Sequence, residues 1–221
     1  HPVRVYCSGR TDAGVHAKEQ VIHFETEAVR ESKAWLFGGN VNLPSDVNFT
    51  WAKEVGEDFH ARFNAYARAY EFKILNHPVR SALKADSHLW EPRPLDIEKM
   101  QKAANLLLGE HDFSCFRDSL CQAKSPIKTI EYLNITENNN TILLEVKANA
   151  FLHHMVRNIV GTLLKVGRGE RDICWMKDVL DSKDRRKAGP TSEPQGLYFV
   201  KAFYTDLYTP YYILPMIREI K

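Results

Sequence analysis

The sequence predicts an α+β fold, on three observations. Runs of β-branched and aromatic residues at period two recur along the chain, the longest at 65–75, where Tyr66, Tyr70, Phe72 and Ile74 share one parity. Two stretches, 97–108 and 151–166, instead carry apolar residues at helical spacing. The β-rich runs 127–136 and 141–147 are joined by a short segment ending in three asparagines, a residue that tolerates the positive φ of a tight turn. That arrangement predicts a hairpin and antiparallel pairing.

Taken in order, Val3, Val5 and Cys7 alternate with polar neighbours and predict a strand running into the glycine-containing segment 8–17. A second strand is expected at 20–25 and a short helix at 32–37. After a turn rich in Asn, Pro, Ser and Asp, a further strand is expected through Phe49, Trp51 and Lys53. The strand at 65–75 opens a second half, so the chain divides into 1–64 and 65–221. Asp96 caps a helix that aligns Ile97, Met100, Ala104, Leu107 and Leu108, and Gly109 stops it. Beyond the hairpin, Met155, Ile159, Leu163 and Val166 define the helix at 151–166, with Gly167 behind it. A helix at 172–181, a Lys/Arg-rich loop and a last strand at 197–203 complete the map. Nothing repeats in tandem.

Composition limits function only loosely. A chain of 221 residues can bury a substantial core as one domain or two compact ones. Its 44% hydrophobic and 26% charged content is that of ordinary soluble proteins, and no stretch is long and apolar enough to span a bilayer, so a membrane role is not expected. A formal charge of +2 does not by itself mark a polyanion binder. Local patches at Arg62/Arg68, Lys165/Arg168/Arg171 and Lys183/Arg185/Arg186/Lys187 can meet phosphates without reading bases. Cys7, Cys115, Cys121 and Cys174 show no CxxC spacing and follow no signal peptide, which suits reduced thiols in a cytoplasmic protein. The chain opens at His1 rather than Met, two residues before an alternating apolar run, and we expect its true beginning to be missing.

The chemistry-bearing segment is Gly9-Arg10-Thr11-Asp12-Ala13-Gly14-Val15-His16-Ala17, on a loop between two predicted strands. Its glycines permit close backbone approach and unusual φ, and between them stands a short carboxylate, Asp12. Arg10 beside it can serve as a charge partner or bind phosphate. Read alone, an Asp-Ala-Gly triplet is more often a structural turn in which the carboxylate caps backbone amides.

The whole string resembles the catalytic motif of the bacterial tRNA pseudouridine synthase A family, G-R-T-D-x-G-V-H-A. Three further segments are similar to that family in family order: Ala61-Arg62-Phe63 through Ala67-Arg68-Ala69-Tyr70, Phe151 through Gly161, and Gly196-Leu197-Tyr198. The resemblance spans nearly the whole chain. One departure is that family members begin several dozen residues earlier, with a strand and a loop of the type Y-D-G-x-x-Y-x-G-W-Q, which this sequence lacks.

The resemblance implies two similar α/β halves, each a mainly antiparallel sheet with helices on one face, and an active cleft between them. It implies isomerisation of uridine to pseudouridine at positions 38 to 40 of the tRNA anticodon stem-loop by a homodimer, without cofactor. Asp12 would be the nucleophile, on the uracil ring or on the ribose anomeric carbon, with Arg157 as its charge partner. Arg10 would fill the hole left by the flipped nucleotide, Tyr70 would stack on the everted uracil and Leu197 would form the apolar wall. Arg62, Arg68 and His16 join them as candidate substrate-side residues, His16 chiefly by fixing the motif loop.

As neighbours on a helix, His153 and His154 are expected to point in different directions and to share no metal, so no zinc site is expected. His60 has no support as a ligand, and His23 and His111 carry no identifiable message. Two other classes remain open on the residues alone. A non-catalytic tRNA-binding module or chaperone would keep the basic patches and Tyr70. A metal-dependent nuclease using Asp and His would carry divalent metal.

Overall fold

The computed structural model describes residues 2–205. In chain order its strands are β1 (Tyr6–Cys7), β2 (His16–Ala17), β3 (Ile22–His23), β4 (Ala67–Asn76), β5 (Leu89–Glu91), β6 (Gly109–Asp112), β7 (Ile127–Asn138), β8 (Thr141–Ala148) and β9 (Leu197–Phe203). Its helices are α1 (Ser32–Asn42), α2 (Ile97–Asn105), α3 (Met155–Gly167) and α4 (Cys174–Ser182). Seven strands form one mainly antiparallel sheet in the order β2-β9-β4-β8-β7-β6, with β5 parallel to β4, while β1 and β3 pair separately. No helix among the described residues is long and apolar enough to cross a membrane.

β4 is central because both of its edges are paired along most of its length, to β8 from Arg68↔Ala148 to Leu75↔Thr141 and to β9 from Ala67↔Phe203 to Phe72↔Leu197. The hairpin of β7 and β8 turns at Asn139 and Asn140, whose φ values of 49° and 61° are those the sequence predicts for asparagine there. Phe72 and Ile74 of β4, with Ile142, Leu144 and Val146 of β8, meet Met100, Ala103 and Ala104 of α2, Ile159 and Leu163 of α3, and Met176 and Val179 of α4 in one core. Full burial of a side chain of this size contributes roughly 1.5–3 kcal/mol. A smaller cluster joins Val21, Phe59, Ala61 and Ala65 to Phe199, Ala202 and Tyr204.

Four expectations are corrected. No strand forms through Phe49, Trp51 and Lys53. There the Asn40 side chain accepts from Phe49 N at 2.6 Å and donates to Phe49 O at 2.9 Å, so an α1 amide satisfies the backbone groups a ladder would have used. The aromatic face of β4 is also not continuous. A register shift between Ala69 and Tyr70 moves the buried set from Ala67 and Ala69 to Phe72 and Ile74, leaving Tyr70 at the switch and Tyr66 exposed. The Asp96 cap is present, its carboxylate accepting from Lys99 N, but α2 ends at Asn105, short of Leu107 and Leu108. Finally, α3 begins at Met155 rather than 151, because His154 sits in the left-handed region at φ 61°, ψ 5°.

Candidate active site

The loop carrying Asp12 is fixed from both ends. Upstream, the Gln20 amide donates to Gly9 O at 2.6 Å and its oxygen accepts from Ser8 Oγ at 2.6 Å. Downstream, β2 lies parallel to β9 with His16 opposite Tyr198, and Lys18 N donates to Phe199 O. Within the loop Val15 N donates to Asp12 O at 3.1 Å, and Gly14 completes the turn at φ +80°, which a side chain would strain.

Helix α3 presents the counterpart. Arg157 Nη1 donates to Asp12 Oδ2 at 2.8 Å, and Arg157 Nε donates to Ser192 O at 2.8 Å, so a second anchor orients the guanidinium. The anchor is held in turn by close packing of segment 185–192 on α3. A Cβ on Gly161 would lie 1.8 Å from the Pro190 carbonyl oxygen, so only glycine permits this approach. Asn158, fully buried, donates to Phe116 O and accepts from Arg185 and Thr191, and Thr162 Oγ1 accepts from Gly189 N.

His153 and His154 are the second correction of consequence. The left-handed turn at His154 stacks the two imidazoles face to face, with ring centroids 3.9 Å apart, instead of splaying them around a helix. His154 Nε2 lies 3.0 Å from Asp12 Oδ2 and His153 Nε2 lies 3.3 Å from Asp12 Oδ1. On their far sides both rings face Asp118, whose Oδ2 is 2.9 Å from His154 Nδ1 and whose Oδ1 is 3.3 Å from His153 Nδ1. The premise that neighbouring histidines diverge therefore fails here, and the ligand-type atoms of Asp12, His153 and His154 lie within 4.8 Å of one another. A metal ion at that point would have to displace the Arg157 guanidinium, already bonded to the same Asp12 oxygen.

Tyr70 packs edge-on against Phe151 at 4.9 Å and Phe199 at 5.2 Å. Burial pushes its phenol up, Arg68 opposes the shift and Asp12 adds to it, so Tyr70 remains a neutral donor beside the carboxylate. Leu197 is buried where β9 leaves the short turn after Pro194. Arg10 is exposed and forms no hydrogen bond or ion pair among the described residues. Arg62 is exposed, its guanidinium 5.7 Å from the Phe63 ring.

Arg68 and His16 have structural tasks. Arg68 directs all five N–H donors at backbone carbonyls, those of Ser8 (twice), Ala65, Asn149 and Arg62, which leaves none for a phosphate. It ties the motif loop to β4 rather than to substrate. His16 stacks on Tyr198 at 4.6 Å and its Nε2 lies 2.7 Å from Asp86 O, which pins the downstream end of the loop. The basic patches also rearrange: Arg168 is bound to Glu91, and Arg185 is spent on Gly189, Asn158 and Thr191. Lys165, Arg171, Arg186 and Lys187 instead line one recess with Trp175. Sequence reasoning passed over Asp118, and the one signal available, an Asp-Ser pair after an apolar turn, is too common to single it out.

A family model described as tRNA pseudouridine synthase matches residues 103–205. The tRNA pseudouridine synthase A of Pseudomonas aeruginosa is 52% identical to this chain over 203 residues, covering 92% of this chain and 71% of that protein. Those of Hydrogenovibrio crunogenus and Alcanivorax borkumensis are 51% and 50% identical over 205 and 208 residues, covering 93% and 94% of this chain and 78% of each relative.

Proposed function

The chain belongs to the tRNA pseudouridine synthase A family, and from that premise we propose that it isomerises uridine to pseudouridine at positions 38 to 40 of the tRNA anticodon stem-loop, with Asp12 as nucleophile. The observation that carries this reading is one carboxylate, Asp12, held by Arg157 on a loop anchored at both ends and set beside the partly buried phenol of Tyr70.

The reaction asks for little else. The C1′–N1 bond breaks, the uracil rotates, a C1′–C5 bond forms, C5 loses a proton and N1 gains one, with no net redox change. A single nucleophile that forms and releases a covalent bond divides this into easier steps. The uridine must leave its stack, at a cost of a few kcal/mol. We assign Arg10, whose guanidinium is uncommitted, to the space the nucleotide vacates. Tyr70 is assigned to the base face and Leu197 to the apolar wall. His16 and Arg68 act on substrate through the loop they hold, while Arg62 and the recess of Lys165, Arg171, Arg186 and Lys187 face phosphates. The cleft lies between the halves 1–64 and 65–221, and two copies of the chain grip one tRNA.

The test is incubation with unmodified tRNA transcript followed by carbodiimide-blocked primer extension. Stops at positions 38 to 40 are expected with the parent protein and none with Asp12→Asn, which keeps side-chain shape and tRNA binding. Equal stops with Asp12→Asn would refute the nucleophile assignment.

A further inference from the structure

Two carboxylates 106 residues apart in the chain, Asp12 and Asp118, meet across the same pair of imidazoles. Asp118 Oδ2 lies 2.9 Å from His154 Nδ1 in hydrogen-bond geometry, and Asp118 is itself fixed because its Oδ1 accepts from Leu120 N at 2.9 Å. The backbone N–H of Leu120, and after it the His154 contact, hold the Asp118 carboxyl below the usual carboxylate range against the effect of its partial burial. An ionised carboxylate only accepts, so His154 Nδ1 must carry the proton. Its other nitrogen, Nε2, stands 3.0 Å from Asp12 Oδ2. The His154 ring therefore links the two carboxylates, by a hydrogen bond to Asp118 and a 3.0 Å contact to Asp12. His153 makes the longer contacts, 3.3 Å on both sides, and its Nδ1 is buried without a hydrogen bond, so His154 carries the tighter link between the two carboxylates.

We propose that Asp118 is a positioning residue for Asp12, acting through His154: it fixes the ring orientation and so holds Nε2 against the same Asp12 oxygen that Arg157 binds. The proposal rests on the role given to Asp12 under Proposed function. Asp12 Oδ2 then sits in a clamp between Arg157 from α3, which donates a hydrogen bond to it, and His154 from the turn before α3, which lies 3.0 Å away. When the carboxylate is released from the nucleoside, its returning negative charge meets the Arg157 cation and an oriented imidazole already in place, which need no reorganisation. The other titratable and charged groups around the ring are His153 in the same turn, Arg157 on α3, Tyr70 on β4, which is coupled to Asp12, Cys121, whose sulfur accepts from His153 N at 3.4 Å, Arg117 beside Cys121, and Arg185, which is coupled to Asp118.

The test combines two readouts on the full chain. In the first, kcat and KM for an unmodified tRNA transcript are measured for the parent, Asp118→Asn, Asp118→Glu and His154→Gln. Asp118→Asn should lower kcat about tenfold or more, as when the partner orienting a functional histidine is lost. KM should stay within about twofold of the parent. Asp118→Glu should restore part of the rate. In the second, nitrogen NMR of the imidazoles should show His154 Nδ1 hydrogen-bonded to Asp118 in the parent and that bond lost in Asp118→Asn. Unchanged kcat in Asp118→Asn, or no hydrogen bond at His154 Nδ1 in the parent, overturns the proposal. A parent that forms no pseudouridine sinks the functional reading instead, while the NMR arm still decides the clamp. If Asp118→Asn does not fold, His154→Gln carries the kinetic arm with the same expected loss.

Discussion

The region up to residue 64 and the region from 65 to 205 are built differently, and the difference explains the site. In the first region β1, β2 and β3 are two residues each, and α1 buries none of its side chains, leaving Phe37 and Val41 exposed. In the second, β4, β7 and β8 run for 10, 12 and 8 residues around a core of fully buried aromatic and branched side chains. Asp12 belongs to the weakly packed region, yet Arg157, His153 and His154, which hold its carboxylate, come from the well-packed one, as does Arg68, which ties its loop down. A reactive group can thus stand on a loop with little packing of its own, provided that a rigid neighbour supplies its contacts.

The largest effect that would break this comparison is on stability. Phe72→Ala, in the core of the sheet, should cost about 3–5 kcal/mol in denaturant unfolding, and Phe37→Ala, on exposed α1, no more than about 0.5 kcal/mol. Equal losses would mean that α1 is as well packed as the sheet. Next comes catalysis. Arg157→Met should lower kcat by about 10² or more, since it removes the donor on Asp12, whereas Arg10→Met should leave kcat nearer the parent and weaken tRNA binding. In filter-binding titrations Arg10→Met should flatten the slope of log affinity against log salt by about one phosphate contact. A steep kcat loss for Arg10 with none for Arg157 would reverse the assignment.

Acid should separate the regions at two different pH values. Glu91, buried between Arg93 and Arg168, is pushed up by burial but drawn down further by hydrogen bonds from Arg93 and Arg168, so its net shift is downward. A depressed carboxyl stabilises the fold above its unfolded value near 4.5, and that contribution is lost as pH falls through its folded value. Thermal melts should therefore show the main sheet losing stability below about pH 4.5, and Glu91→Gln should blunt that loss. The smallest effect is at His23, whose value is lowered by burial and by His60, and whose Nδ1 accepts from Ala61 N at 3.1 Å. Its folded value lies below 6.5, so the unfolded chain binds the proton more readily, and local stability is lost as pH falls below about 6.5. Amide exchange at Ala61 should quicken between pH 6.5 and 5.5, after correction for intrinsic rates, while exchange in β8 stays unchanged. Loss of both regions together at one pH would argue that they unfold as a unit.

The sequence by itself determined the parts governed by local rules. Period-two and helical spacing located β4, the β7–β8 hairpin, α3, α4 and β9, because side-chain alternation and turn chemistry act within a few residues. The glycine-bounded string presented Asp12, and only the resemblance of further segments to a known family singled out Arg157 and Tyr70 as its companions. Tertiary structure alone decided the rest. An Asn40 side chain replaced a strand at Phe49, a bulge at Ala69/Tyr70 turned the aromatic face of β4, and Arg68 spent its donors on distant carbonyls. It also placed Asp118 106 residues beyond Asp12 in the chain, across two histidines whose stacking depends on one left-handed residue. Such contacts join atoms whose separation in sequence carries no period, so no local pattern of residues encodes them; they exist only once the sheet and α3 have packed.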